Sequence, residues 1–259
     1  MPPPKRAFPE YTFAVAIARF RFHGDLARFL RAGHRQAPLD YGCARAATLK
    51  NAIEALGVPH TEVGRIHVNG EPATLQRIVR EGDAVEIFPW EKMGSGPFSG
   101  LEKGPDPFFL ADAHLGGLAR FLRMLGFDTL HENAFADEEI RRIAAEEQRI
   151  VLTRDRELLK CRDIARGCYV RAIKPEAQLR EVAARYGLAA SARPFTLCLN
   201  CNVPLEPVDK SSVAHRVPEK VLVLQNTFTR CARCDGVFWP GSHYRRMLAA
   251  LEPIFQVRA

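Results

Sequence analysis

Two cysteine pairs, Cys198-Leu-Asn-Cys201 and Cys231-Ala-Arg-Cys234, constrain the fold of this chain more than any other feature. A two-residue spacer lets both sulfurs of a pair turn toward one ion while the backbone amides beyond each pair support the thiolates. Two such pairs complete a tetrahedral four-thiolate site. The 29 residues between the pairs must therefore leave and return, and the apolar run at residues 220 to 228 is the expected strand that carries the chain back. Disulfides are disfavoured in a reducing compartment, and a redox pair would not need two copies. The expected occupant is one structural zinc ion. His215 and His243 are unnecessary as ligands beside four cysteines, and Cys43, Cys161 and Cys168 read as ordinary thiols.

A chain of 259 residues, 47% hydrophobic and 26% charged, has the material for two domains or three small ones. Its longest apolar stretch, residues 13 to 18, is far short of the roughly 18 residues of a spanning helix. Glu10 before that stretch and Arg19 and Arg21 after it argue against a signal peptide. The expectation is a cytoplasmic protein with no membrane partner. The net charge is +7, yet residues 91 to 190 are balanced at 16 basic against 16 acidic side chains, so the excess sits at the two ends. Such charge permits an acidic partner such as RNA without requiring one.

The expected organisation begins with a small α+β unit over residues 1 to 91: strands near 15 to 22, 64 to 68 and 83 to 88, a helix over 48 to 56, and a turn at Asn69-Gly70. Residues 92 to 106 are rich in glycine and proline and read as a linker. Few contacts across it are expected, so removal of residues 1 to 90 should leave the remainder folded. Residues 107 to 190 alternate strands (108 to 111, 128 to 131, 149 to 153, 169 to 173) with helices (115 to 125, 137 to 148, a short one from 156, and 175 to 186), which predicts a parallel sheet with helices packed on it. Residues 191 to 259 hold the cysteine pairs and a C-terminal extension.

Asp112 and Asp155 each come just after an apolar strand. In an open parallel sheet the carboxyl ends of the strands meet in one crevice, where two carboxylates can hold Mg²⁺ or Mn²⁺. Each aspartate also reads as a helix N-cap, as does Asp137 at the start of the second helix, where Asp137 is the candidate third carboxylate. Arg120 and Arg123 lie opposite the apolar stripe of the first helix, as a solvated face or, beside a metal crevice, as phosphate holders.

Phe109-Leu-Ala-Asp112, Leu115-Gly-Gly-Leu-Ala-Arg120 with Phe-Leu-Arg123-Met-Leu-Gly126-Phe-Asp128, Ile150-Val-Leu-Thr-Arg-Asp155, the paired cysteines and Phe238-Trp-Pro-Gly-Ser-His243 occur in an order that resembles the Mut7-C ribonuclease domain, over about residues 107 to 250. Residues 53 to 63, Val68-Asn-Gly70 and Gly82-Asp83 resemble the ubiquitin-like domain often fused ahead of it. The resemblance implies a PIN-like α/β nuclease fold with an appended zinc ribbon, preceded by a β-grasp domain. It implies a carboxylate site at Asp112 and Asp155, with Asp137 and, matching less closely, Glu157. His114 stands where the family pattern leads one to expect an apolar residue and receives no role. The small sulfur carriers, which share the β-grasp fold, end in Gly-Gly, whereas Pro89-Trp90 here runs into the linker, so sulfur transfer is not expected.

The function expected is a metal-dependent ribonuclease acting on single-stranded or structured RNA. Arg120 or Arg123 would hold the RNA backbone, and Arg230, Arg233, Arg245 and Arg246 around the ribbon would extend the surface. The rival is a catalytically inactive RNA-binding adaptor. A phosphatase with a nucleophilic aspartate is disfavoured because His114, not a second aspartate, stands two residues after Asp112. The ubiquitin-like domain has room for a protein partner that the sequence does not identify.

Overall fold

The computed structural model describes residues 17–35, 38–42, 46–90 and 107–255. The expected linker at 92–106 and Cys43 lie outside them. The described residues divide into two compact units. The first holds residues up to Gly57 together with Arg65–Phe88; the second holds Val58–Gly64 and the chain from Pro89 onward.

In the first unit β1 (Ile17–Phe22) alternates exposed and buried residues, as a strand with one face on a core must. It pairs antiparallel with β2 (Leu39–Gly42) and parallel with β5 (Ala84–Pro89). Helix α1 (Leu49–Ala55) starts where Thr48 Oγ1 accepts the Asn51 N–H at 3.2 Å, and it buries Leu49, Ala52 and Ile53. Strands β3 (Val63–Val68) and β4 (Glu71–Ala73) form a hairpin whose two loop residues, Asn69 and Gly70, have φ of +55° and +87°. A two-residue hairpin demands that left-handed pair, and Asn-Gly supplies it. The sheet order β2-β1-β5-β3-β4 around one helix is the β-grasp arrangement that the resemblance implies. Asp83 closes the loop before β5 by accepting from both Nη atoms of Arg77 (2.7 and 3.0 Å), from the Arg80 N–H and from Asn69 Nδ2.

The second unit is built on a four-stranded, all-parallel sheet in the order β7-β6-β8-β9, from β6 (Phe109–Ala111), β7 (Thr129–Leu130), β8 (Ile150–Thr153) and β9 (Gly167–Tyr169). Every residue of β6 and β8 is buried. Such continuous apolar strands require cover on both faces. Phe109, Ala111, Ile150 and Leu152 pack under α2 (Gly116–Met124) and α4 (Pro175–Tyr186), while Leu110 and Val151 pack under α3 (Asp137–Glu147). Strand β9 ends earlier than the pattern at 169 to 173 predicts. The Glu181 carboxylate accepts the N–H groups of Arg171 and Ala172 and takes them out of sheet pairing. The helix expected from 156 is a single 3₁₀ turn, Leu158–Lys160. Gly126, at φ +93° after α2, is required by close approach: a Cβ there would lie 2.3 Å from the Arg193 carbonyl oxygen.

The segment Val58–Gly64 is integral to this second unit. His60 Nε2 lies 3.0 Å from the Ile164 carbonyl oxygen. Glu62, 3% exposed, accepts from Arg185 Nη1 at 2.9 Å, Arg171 Nη2 at 3.3 Å and the Tyr169 N–H at 2.8 Å. Trp90 Nε1 donates to the Thr61 carbonyl. Val58–Gly64 thus groups with the second unit by its contacts although it precedes the boundary expected at 91.

The C-terminal part carries an antiparallel sheet, β10-β11-β12, from β10 (Leu205–Val208), β11 (Phe228–Cys231) and β12 (Val237–Phe238). Between β10 and β11 stand two short helices, α5 (Lys210–Val213) and α6 (Glu219–Leu224). The strand expected at 220 to 228 is thus mostly helix. A short apolar run does not distinguish the two states by periodicity, and Pro218 followed by Glu219 sets a helix start. The strand that returns the chain begins only at Phe228. Helix α7 (Ser242–Phe255) buries Leu251 and Ile254 in the core beneath α2 and α4.

Candidate active site and metal centre

The strand order places β6, first in the chain, between β7 on one side and β8 on the other, so the chain runs from β6 to β7 and then crosses over to β8 on the opposite side. That is the switch point at which an open parallel sheet leaves a crevice beyond its carboxyl ends. Asp112 comes directly after β6, and Asp155 stands two residues beyond β8. Both line one crevice of about 440 Å³ with His114, Arg154 and Tyr169.

Thr153, fully buried at the end of β8, connects the two aspartates. Its hydroxyl donates a hydrogen bond to Asp112 Oδ2, and its Oγ1 accepts the Asp155 N–H at 2.9 Å. Asp112 Oδ1 accepts the His114 N–H at 2.9 Å, and Oδ2 lies 3.3 Å from the Arg154 nitrogen. Asp155 Oδ1 accepts from Glu157 N at 2.7 Å and, more weakly, Leu158 N at 3.4 Å. Both aspartates therefore act as local caps, as the alternative reading has it. Asp155 remains solvent-exposed, and Asp112 is 7% exposed. His131 Nδ1 lies 3.1 Å from the Asp112 carbonyl oxygen, and Gly116 leaves room for that ring: a Cβ there would meet His131 Nε2 at 2.7 Å. The His114 side chain is 85% exposed, its Nδ1 3.9 Å from Asp112 Oδ1. Sequence reasoning gave no role to Thr153, Arg154 or Tyr169. The first two lie inside the Thr-Arg-Asp155 run, where their adjacency to the aspartate at the strand end was the available signal.

Three expectations are corrected. Asp137 neither caps α3, whose N-cap residue is Ala136, nor lines the crevice; it is the exposed first residue of a helix that turns Ile140, Ile143 and Ala144 to the core. Glu157 is paired with Lys160 at 2.7 Å outside the crevice. Arg123 is not on a solvated face. It is buried, and its guanidinium donates to the carbonyls of Thr129 (2.9 Å), Leu199 (3.1 Å) and Asn200 (3.0 Å). Burial lowers its pKa below the ordinary arginine value, against the opposing fields of Glu132 and Asp128. The apolar stripe of α2 could not reveal this, because two of the three partners lie more than 70 residues away. Arg120, Arg230, Arg233, Arg245 and Arg246 are exposed.

The four cysteines Cys198, Cys201, Cys231 and Cys234 come together, their sulfurs all within 4.8 Å of one another. Among the described residues no other group of three or more ligating side chains does so. The two loops repeat one geometry. In each, the N–H four residues after the first cysteine returns to that cysteine's carbonyl (Asn202 to Cys198, 2.9 Å; Asp235 to Cys231, 2.8 Å). In each, the residue after the second cysteine has a positive φ (Asn202 +59°, Asp235 +58°). Thiolates held tetrahedrally at about 2.3 Å from zinc stand roughly 3.8 Å apart. Cys198 Sγ and Cys234 Sγ are 3.8 Å apart, so the donor set fits zinc. Within the cluster the thiols shift in opposite directions: the N–H groups of Cys234 and Arg233 and the neighbouring thiols favour ionisation of Cys231 against its burial, whereas burial and the neighbouring thiols push Cys201 up. Cys168 is pushed up to about 12 by complete burial, as an inert core thiol is.

A parallel sheet covered on both faces, with two carboxylates at its switch point and a four-cysteine cluster able to hold a metal, defines an α/β domain with an appended cysteine-knuckle segment. A family model described as the Mut7-C RNAse domain matches residues 107–251, and one described as Mut7-C ubiquitin matches residues 15–94. The first spans more than half of the sequence, and the chain belongs to the Mut7-C RNAse domain family. No curated protein and no solved structure shows significant similarity to it. No described helix is long and apolar enough to cross a membrane.

Proposed function

We propose that this chain is a metal-dependent ribonuclease of PIN-like fold, with residues 107–190 carrying the chemistry and the cysteine centre in 191–259 holding a structural zinc. The observation that carries the reading is the delivery of Asp112 and Asp155 to one crevice at the switch point of the sheet. Carboxylates in a crevice open to water suit Mg²⁺ or Mn²⁺, hard ions that take oxygen ligands and retain waters. When bound, such an ion supplies an activated water and neutralises the charge that develops on a phosphodiester. Thr153 ties the Asp112 carboxylate to the Asp155 backbone N–H, and Arg154 places a cation at the same opening. Asp137, outside the crevice, contributes only the field of its charge. The exposed Arg120, Arg245 and Arg246 remain the candidate contacts to the RNA backbone beyond the crevice, and the buried Arg123 leaves that set.

The test is cleavage of labelled single-stranded RNA by wild type and variants at equal folded concentration. Cleavage should require Mg²⁺ or Mn²⁺, stop in EDTA, and fall steeply in Asp112→Asn and Asp155→Asn without a matching fall in melting temperature. Asp137→Asn should leave it largely intact. RNA binding with no cleavage in either metal is the result expected of an inactive adaptor.

A further inference from the structure

An exposed histidine is ordinarily a solvated side chain, but His114 stands on the wall of the crevice that holds Asp112 and Asp155. Its backbone is fixed and its ring is not. The His114 N–H donates to Asp112 Oδ1 at 2.9 Å within the 3₁₀ turn Ala113–Leu115 that Asp112 caps, while the side chain is 85% exposed. Nδ1 lies 3.9 Å from that same oxygen, beyond hydrogen-bonding distance. Among the described residues the ring has no other partner, and no arginine or lysine pairs with Asp112 or Asp155. Both carboxylates and the imidazole are thus uncommitted toward a cation. Two donors about 2.1 Å from one ion stand at most roughly 4.2 Å apart, so His114 Nδ1 and Asp112 Oδ1 are within the span of one ligand set. The donors of Asp112, His114 and Asp155 are not all within 4.8 Å of one another; the exposed ring, held only through its backbone, turns to close the set.

The donor set decides which ion a site prefers. Carboxylates and water suit Mg²⁺, which takes oxygen ligands in a strict octahedron, whereas an imidazole nitrogen adds affinity for first-row transition ions and little for Mg²⁺. We propose that His114 is a ligand of the divalent ion held by Asp112 and Asp155, and that it turns the crevice from a site for Mg²⁺ toward one for transition ions, Mn²⁺ among them. This rests on the ribonuclease reading, which admits either ion, and states which of the two the chain selects. An apolar residue at 114, such as the family pattern leads one to expect, offers no donor, so the preference belongs to this chain's own histidine.

The test uses the full chain with Mn²⁺ alone as the probe and needs no RNA. The electron spin echo of bound Mn²⁺ should carry the modulation of a directly coordinated nitrogen in wild type and lose it in His114→Ala. In the same samples, free Mn²⁺ counted by electron paramagnetic resonance should show Kd for Mn²⁺ raised about tenfold or more in His114→Ala, at least what loss of a ligand's outer support costs. Kd for Mg²⁺, measured by its displacement of Mn²⁺, should stay within about twofold. The melting temperature without added divalent ion should not move, because the ring is exposed. Mn²⁺ bound to wild type without the nitrogen modulation, or an unchanged modulation and Kd in His114→Ala, overturns the ligand and leaves the carboxylate site standing. A wild-type chain that binds neither Mn²⁺ nor Mg²⁺ overturns both.

Discussion

Replacing Thr153 by valine keeps the side-chain volume but removes the hydroxyl that donates to Asp112 and whose oxygen accepts the Asp155 N–H. The Asp112 carboxylate then loses a hydrogen bond in a buried setting and the Asp155 N–H one in a part-buried setting, at a cost of about 1–3 kcal/mol. Thr153→Val should unfold at lower urea concentration by that amount and cleave RNA more slowly, while Thr153→Ser should restore much of both. Asp83 in the β-grasp unit permits a prediction in pH. Its hydrogen bonds with Arg77 hold its carboxyl below the ordinary 3.8, against the opposing effect of burial, with the Arg80 N–H adding to the effect. A depressed folded-state pKa stabilises fully above the unfolded value and is lost as pH falls through the folded one. Urea unfolding should therefore show Asp83→Asn less stable than wild type at pH 7, with the difference shrinking once the pH drops below about 3.8. Sequence patterning identified Gly82-Asp83 only as a turn before a strand; its four donors come from three separate positions that no local pattern connects.

Helices whose apolar positions recur with helical spacing were legible in the sequence: α4 has the expected bounds, and α3 is shorter by one residue. Periodicity failed where the apolar run was short, as in α6, and where an element's partner lay far along the chain. Arg123 is the clearest case of the latter, since it joins α2 to the first cysteine loop through the Leu199 and Asn200 carbonyls. Asn202 strengthens the same joint by accepting the Thr129 N–H through Oδ1 and donating to Asp128 through Nδ2. The first cysteine loop is thereby fastened to the sheet that carries Asp112. Arg123→Met should cost about 1–3 kcal/mol, chiefly for the buried Thr129 carbonyl it orphans. It should also speed the release of zinc to a chromophoric chelator, because a loosened loop holds its two thiolates less rigidly. Zinc release at the wild-type rate, with unchanged stability, would show that the loop holds its shape without α2.

Across the whole molecule, both pairs of cysteines, the parallel sheet and the two crevice aspartates were readable from spacing and from strand ends. The assignment of Val58–Gly64 was not, because Glu62 looks like an ordinary surface acid until Arg171 and Arg185 are seen around it. Breaking a buried ion pair by removing one partner costs about 3–5 kcal/mol, since it leaves charge uncompensated. A chain beginning at residue 107 should accordingly melt well below the full chain; equal melting of the two would restore the expectation that residues 1 to 90 are dispensable. The central claim is that Asp112 and Asp155 hold one divalent ion between them. Anomalous diffraction from crystals soaked in Mn²⁺ tests it most directly. The account predicts a manganese peak bridging the two carboxylates, separate from the zinc at Cys198, Cys201, Cys231 and Cys234. A crevice without manganese at saturating concentration, with the carboxylates turned apart, would contradict it.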